Sequence, residues 1–488
     1  MRKAKIVCTI GPASSSPEIL EQLIEAGMNV ARLNFSHGTH ESHARAIQAV
    51  RQAAQRAGMV VAILQDVQGP RIRVGRLPDA GVTLEAGRRV RLLSGQAAFD
   101  PRSGVHYSGK SVAPNYTAEL PITYAALARD VRPGARVLIN DGLIELKVEQ
   151  IAGETVECSV VTGGLVTSCK GLNLPGTAVS APTLTDKDRE DLRFGVAQQV
   201  DYVALSFVRS GADIAAARQL LAAQGGEIPL IAKIERPEAI EQLEGILDEA
   251  DGVMIARGDL GVEMGPEIVP ILQKRIILAA NRRRKLVITA TQMLESMTEH
   301  PRPTRAEASD VANAVFDGTD AVMLSAETAA GRYPVEAVRV MDRIVRAAEE
   351  GAEPGVLRVA ESAPPAPDSF TEAMCAAACS AVNTIRADAV VVFSESGATA
   401  RLMSKQRPAT PIVAVTPSEL IRRRMALYWG VVPLTMARTE HTDELVHEIE
   451  RRLKVEGLAK SGQRLVILSG TIIGQRGGTN VMKLHEVA

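Results

Sequence analysis

A chain of 488 residues is longer than one hydrophobic core can organise, since single cores stop growing near ~250–300 residues, so about three domains are expected. Apolar residues make up 46% and charged residues 23%, ordinary for a globular protein, and a formal net charge of -1 gives no basis for a nucleic-acid polyanion or an anionic membrane as partner. No window approaches the ~20 apolar residues of a membrane span. The N-terminal MRKAKIVCTIGPAS has too short an apolar run for a signal peptide, and five scattered cysteines without a CxxC read as reduced thiols. A soluble, cytoplasmic protein is expected.

Along the chain, short apolar runs rich in β-formers alternate with amphipathic helical segments. The runs are KIVCTI (5–10), NVARLNF (29–35), VVAILQD (60–66), DYVALSF (201–207), PLIAKIE (229–235), DGVMIAR (251–257), KLVITAT (285–291) and DAVMLSA (320–326). Eight strands alternating with helices predict a closed (β/α)8 barrel, with an open doubly wound sheet as the rival fold. Between the third and fourth runs the chain changes character to short alternating strands with Gly and Pro turns, such as GARVLINDGLIELKVEQIAGETVECSVVTGG. This predicts a small β-barrel-like domain at 71–181, hinged at Pro70 and Pro182, inserted into a barrel made of 1–70 and 182–350. A Pro-rich linker then leads to a separate α/β domain, 351–488 overall, with strands in ADAVVVFSES, TPIVAVTPS and QRLVILSG.

Catalytic groups of such barrels project from the C-terminal ends of the strands, so those positions are the ones to read. They carry Arg32, Asn34, Ser36 and His37; Asp66, then Arg71 and Arg73; Lys233 and Glu235; Arg257 and Asp259; Thr289 and Thr291; Ser325, Glu327 and Thr328. Glu235 and Asp259 are hard oxygen ligands suited to Mg2+ or Mn2+. Lys233, Arg32 and Arg73 supply positive charge suited to a phosphoryl group. Gly258 is expected to begin a loop whose backbone N–H groups can bind a carboxylate. A lone Lys-x-Glu is more often a surface pair, and Arg71 with Arg73 could be solvated charge; convergence from six strands favours phosphoryl transfer at an anionic substrate.

The motifs TIGPAS (9–14), NVARLNFSHG (29–38), KGLNLPG (170–176), AKIERPEAI (232–240), ARGDLGVEM (256–264), TATQMLESM (289–297), PRPTRAEASDVANAVFDGTDAVMLSAET (301–328) and SESGATARLMSKQRP (394–408) together resemble the pyruvate kinase family. The resemblance implies a homotetramer that moves phosphate from phosphoenolpyruvate to ADP, giving pyruvate and ATP. Lys233 resembles the lysine that stabilises the phosphoryl group in flight, Glu235 and Asp259 the Mg2+ ligands, and Arg32 and Arg73 the phosphate-contacting arginines. Gly258, Asp259 and Thr291 resemble substrate-contacting positions, and Thr291 and Ser325 the candidate proton-relay groups. Pro12, Asn34 and His37 line the implied nucleotide site, with Lys170 reaching the nucleotide phosphates from the inserted lid, whose purpose is to exclude water.

The implied monovalent-cation site comprises Asn34, Ser36, Asp66 and the carbonyl of Val67. Arg71 stands where potassium-dependent members carry glutamate. A guanidinium there would supply the charge of a bound K+ and repel the ion, so activity without K+ is expected. Ala330 replaces a frequent lysine, a change to which we attach no meaning. In the C-terminal domain Ser394, Ser396, Gly397, Ala398 and Thr399, with Arg476 as a helper, resemble an effector site for a sugar phosphate or nucleotide. The rival readings are a Mg2+-dependent enolate enzyme on the same barrel and a catalytically silent sugar-phosphate sensor.

Overall fold

The computed structural model describes residues 1–98, 116–351, 369–439, 442–470 and 478–488. The eight apolar runs become eight parallel strands closed into a barrel: β1 (Lys5–Thr9), β2 (Val30–Asn34), β3 (Ala62–Asp66), β4 (Tyr202–Leu205), β5 (Leu230–Ile234), β6 (Gly252–Ala256), β7 (Leu286–Ala290) and β8 (Ala321–Leu324). β1 pairs with both β2 and β8, which closes the cylinder. Nearly every position of these strands is buried, as expected where helices cover the outer face and side chains fill the inside, and this is why they read as largely apolar runs. Four of the barrel helices start at reciprocal capping boxes: Thr39 with Ser42, Thr185 with Asp188, Ser210 with Asp213, and Thr304 with Glu307.

Between β3 and β4 the inserted segment forms a six-stranded and a two-stranded sheet, the latter pairing Val82–Leu84 with Gly164–Val166. They share one core that includes Val90, Leu120, Val137, Leu146, Val156 and Val166. Both crossings between barrel and insertion meet at the buried carboxylate of Asp188. Its Oδ1 accepts from the Gly69 N–H (3.0 Å), and its Oδ2 accepts from the Thr185 N–H (2.9 Å) and hydroxyl (2.6 Å). The returning limb is also held to the rim: Asn173 Nδ2 donates to Glu263 (2.9 Å), Arg209 to the Val179 carbonyl (2.7 Å) and Arg236 to the Thr177 carbonyl (3.2 Å).

The C-terminal domain is a five-stranded sheet of β9 (Ala389–Phe393), β10 (Ile412–Thr416), β11 (Val431–Thr435), β12 (Arg464–Gly470) and β13 (Thr479–Glu486). The order is β11-β10-β9-β12-β13, with only β13 antiparallel. The domain closes the N-terminal end of the barrel. Met425, Leu427 and Tyr428 share a cluster with the barrel residues Val7, Leu64, Ile231, Ile288 and Met323. Arg423 pairs with the buried Asp201 (2.9 Å), and the Tyr202 hydroxyl donates to the Arg424 carbonyl (2.6 Å). The opposite, C-terminal end of the barrel is therefore the one left for a ligand.

Candidate active site

At that rim Lys233, near the end of β5, projects its ammonium into a buried cluster. It stands 3.2 Å from Asp66 Oδ1, 2.9 Å from Glu235 Oε1 and 2.7 Å from Ser206 Oγ. Burial pulls the lysine down, but Asp66 and Glu235 outweigh it, so its pKa lies above the usual value. Asp66, the last residue of β3, also accepts from Arg32 Nε at 2.7 Å, and Arg32 reaches the Thr9 hydroxyl at 2.9 Å. Burial works against the Asp66 carboxylate, yet Lys233 and Arg32 hold its pKa below normal. Two cations and two acids from the ends of β2, β3 and β5 are thus locked together, with Ser206 after the intervening β4 between them.

Arg32, Asn34, Ser36, Arg71, Lys233, Glu235, Asp259 and Thr291 line one cavity. Glu235 is fixed by accepting the Phe207 N–H at 2.7 Å. Burial first, and the negative charge of Glu235 second, push the Asp259 carboxyl up to about 6. Among the described residues no group of three or more His, Cys, Asp or Glu is placed to hold a metal. A pair of carboxylates beside open space suits Mg2+, which keeps waters and takes oxygens from its substrate, so the residues present fit the ion.

Gly258 differs from expectation. Arg257–Met264 is a helix directly continuing from β6, so Gly258 lies in its first turn rather than in a loop. Its N–H is already taken by Thr291 Oγ1 at 2.7 Å, and the same hydroxyl donates to the Ala290 carbonyl at 2.7 Å. Thr291 has φ of 65°, a left-handed backbone that a β-branched residue rarely adopts. Arg257 holds this turn in place, donating to the carbonyls of Thr291 (2.8 Å) and Gln292 (3.1 Å) while pairing with Asp310 (2.6 Å).

The other expected residues lie around this centre. Ser325 follows β8, its N–H donating to Glu327 Oε2 at 2.6 Å, and does not line the cavity. Pro12 and His37 are exposed on neighbouring loops. Arg73, Arg71 and Arg32 all act on His37: after burial, their charges are what hold its pKa below normal. Arg73 and Lys170 belong to the insertion, where Arg73 donates to the Cys169 carbonyl at 2.9 Å. Arg71 was expected beside Asp66. The described side-chain contacts of Asp66 are with Arg32, Lys233 and Ser206, and Arg71 lines the cavity next to them, where its charge acts on Asp259.

One member of the cluster escaped sequence reasoning, and so did the orientation of a residue that was read at the rim. Ser206 joins Lys233 to the Val67 carbonyl (2.7 Å), but a serine after an apolar run carries no signal by itself. Arg257 was visible in RGDLG, yet nothing in the string shows that its guanidinium turns back into the protein.

In the C-terminal domain Ser394–Thr399 leaves the end of β9 and opens a helix, Ala398–Lys405, at the point where the strand order reverses. Ser394 and Thr399 are buried, and Thr399 Oγ1 meets Thr479 Oγ1 at 2.7 Å. Arg476 lies outside the described residues.

A rim that gathers lysine and arginine around paired acids, beneath an inserted domain, is equipment for a phosphotransferase. Family models agree: one described as pyruvate kinase, barrel domain, matches residues 1–338, and one described as pyruvate kinase, alpha/beta domain, matches 372–485. Pyruvate kinases of Staphylococcus epidermidis and Geobacillus stearothermophilus are each 44% identical, over 490 and 491 residues, covering 100% of this chain and 81% of theirs. The crystal structure of a pyruvate kinase from Cryptosporidium parvum superposes with a TM-score of 0.90 at 37% identity, covering 100% of this chain and 96% of that one. The chain belongs to the pyruvate kinase family.

Proposed function

We propose that this protein transfers the phosphoryl group of phosphoenolpyruvate to ADP, taking up one proton and giving pyruvate and ATP, the last step of glycolysis. The observation that carries this reading is the Lys233 ammonium, held charged by Asp66 and Glu235 at the wall of a cavity that also receives Arg32, Asp259 and Thr291. Lys233 and Arg32 bind the phosphate oxygens, and Lys233 follows the charge as the phosphoryl group moves. Glu235 and Asp259 would hold Mg2+ or Mn2+, which when bound supplies Lewis-acid charge for the substrate carboxylate and enolate oxygens.

The Arg257–Met264 turn, with Gly258 and Asp259, orients the substrate carboxylate. The enolate left behind takes a proton at carbon, supplied through the Thr291 hydroxyl with Ser325 as its partner in relay. Pro12, Asn34, His37, Arg73 and Lys170 bind the nucleotide, with the insertion (71–181) acting as a lid that excludes water.

Activity without K+ belongs to the same proposal. Its support is that the expected ion ligands already have internal partners: Asn34 Oδ1 accepts the Ser36 N–H (3.1 Å), Asp66 is paired twice, and Ser206 donates to the Val67 carbonyl. Ser394, Ser396, Gly397, Ala398, Thr399 and Arg476 form the effector site for a sugar phosphate or nucleotide, in a cytoplasmic homotetramer. Pyruvate formation from phosphoenolpyruvate, measured with and without ADP, tests the central claim. Strict dependence on ADP is expected; equal pyruvate without it points instead to a metal-dependent enolate enzyme.

A further inference from the structure

The helix that follows the insertion, Asp186–Ala197, carries two adjacent residues on its first turn that reach in different directions. Asp188 clasps both chain crossings, as described above. Lys187 reaches to the loop after β2, donating to the Phe35 carbonyl at 2.8 Å while pairing with Asp191 Oδ2 at 2.5 Å. Asp191 is 1% exposed and is itself fixed: its Oδ1 meets His40 Nε2 at 2.7 Å, and its carbonyl accepts Gln65 Nε2 at 2.6 Å. An ordinary surface i,i+4 pair would not be anchored at one end in this way, nor spend a donor on a carbonyl 152 residues away.

The loop is held from beneath at a second point. His43 Nε2 meets the His37 carbonyl at 2.8 Å, so this nitrogen carries the proton, and the His43 ring stacks on Phe35 at 4.0 Å and 11°. The carbonyls of residues 35 and 37 are therefore both occupied. Ser36 lines the reaction cavity and the His37 side chain is exposed. Fixing alternate carbonyls of a short loop fixes which way the intervening side chains point.

We propose that Lys187 is a positioning residue for the nucleotide: by fixing the Phe35 carbonyl it holds the Asn34–His37 loop in the shape presented to ADP, and through the neighbouring Asp188 it ties that shape to the seating of the insertion. This rests on the reading that Asn34 and His37 face the nucleotide. The Lys187 side chain is 49% exposed, so its replacement does not leave a hole in the core.

The test is steady-state kinetics of the full-length enzyme carrying Lys187→Met, Lys187→Arg or His37→Ala. Lys187→Met is expected to raise KM for ADP about fivefold or more with KM for phosphoenolpyruvate within about twofold of wild type, and Lys187→Arg to restore most of the loss. Hydrogen exchange at residues 35–38 is expected to quicken in Lys187→Met alone. An unchanged KM for ADP, an equal rise in both KM values, or identical behaviour of the Met and Arg variants overturns the proposal. If His37→Ala leaves KM for ADP unchanged, the nucleotide assignment fails; if it raises KM for ADP while Lys187→Met does not, only the positioning role fails.

Discussion

Lys405 of the C-terminal domain and Asp320 at the foot of β8 form a buried ion pair, Nζ to Oδ2 at 2.5 Å, with 3% and 0% of their side chains exposed. Arg407 reaches the other oxygen of Asp320 at 2.8 Å, and the Val287 N–H also donates to that carboxylate at 2.8 Å. The helix Ala398–Lys405 thus begins at the proposed effector segment and ends on a barrel strand that leads to Ser325.

Removing one charge from a buried pair strands its partner, which costs about 3–5 kcal/mol. Asp320→Ala, which strands two cations, is expected to lower stability by that order, as read by calorimetry or urea unfolding. Lys405→Met should cost less, because Arg407 remains on Asp320. Equal losses in the two variants would show that Arg407 does not share the load.

Lys5 is buried with its side-chain nitrogen on the Val431 carbonyl (2.7 Å), and burial first, then Arg2, pull its pKa from 10.5 down to about 7. Between about pH 7 and 10.5 the unfolded chain binds a proton that the folded chain has released, so stability rises with pH across that window. The melting temperature of the wild type is expected to climb relative to that of Lys5→Met from pH 7 to pH 10. Parallel curves for the two proteins would show that Lys5 keeps its ordinary pKa.

Lys233→Met is expected to lower kcat by about 10²–10³-fold or more, the scale of losing one electrostatic donor at a reacting group. Phosphoenolpyruvate binding, measured by calorimetric titration in the presence of Mg2+, should persist because Arg32 remains. Turnover close to wild type would remove Lys233 from the role proposed here.

Turnover in K+-free and Na+-free buffer is expected to stay within about tenfold of that in K+, a margin of ~1.4 kcal/mol in the barrier. Arg71→Glu should create a K+ requirement by returning negative charge to the cavity that holds Asp259. A larger fall in the wild type would sink the assignment.

The barrel was legible because a parallel strand buried on both faces is largely apolar, so all eight runs stood out from their surroundings. β13 was not: it is an antiparallel strand with exposed and half-buried positions along its length, and its sequence TNVMKLHE has no such run. The rim residues were legible by type, since strand ends in a barrel converge whatever their order in the chain. Their pairing was not. Asp66 is answered by Arg32 and Lys233 from β2 and β5, while Arg71, five residues away in sequence, points its charge elsewhere. Likewise TDKD (185–188) reads only as a helix start, and its reach to Gly69 and Phe35 depends on where the barrel brings β2 and β3.

A carboxylate shared by both crossings ties the root of the insertion together at one point. The return limb is held separately, by its three contacts at Arg209, Arg236 and Glu263. Root and return limb thus have separate holds, so a substitution at any of those three positions removes a contact of the limb and leaves the Asp188 junction with its partners intact.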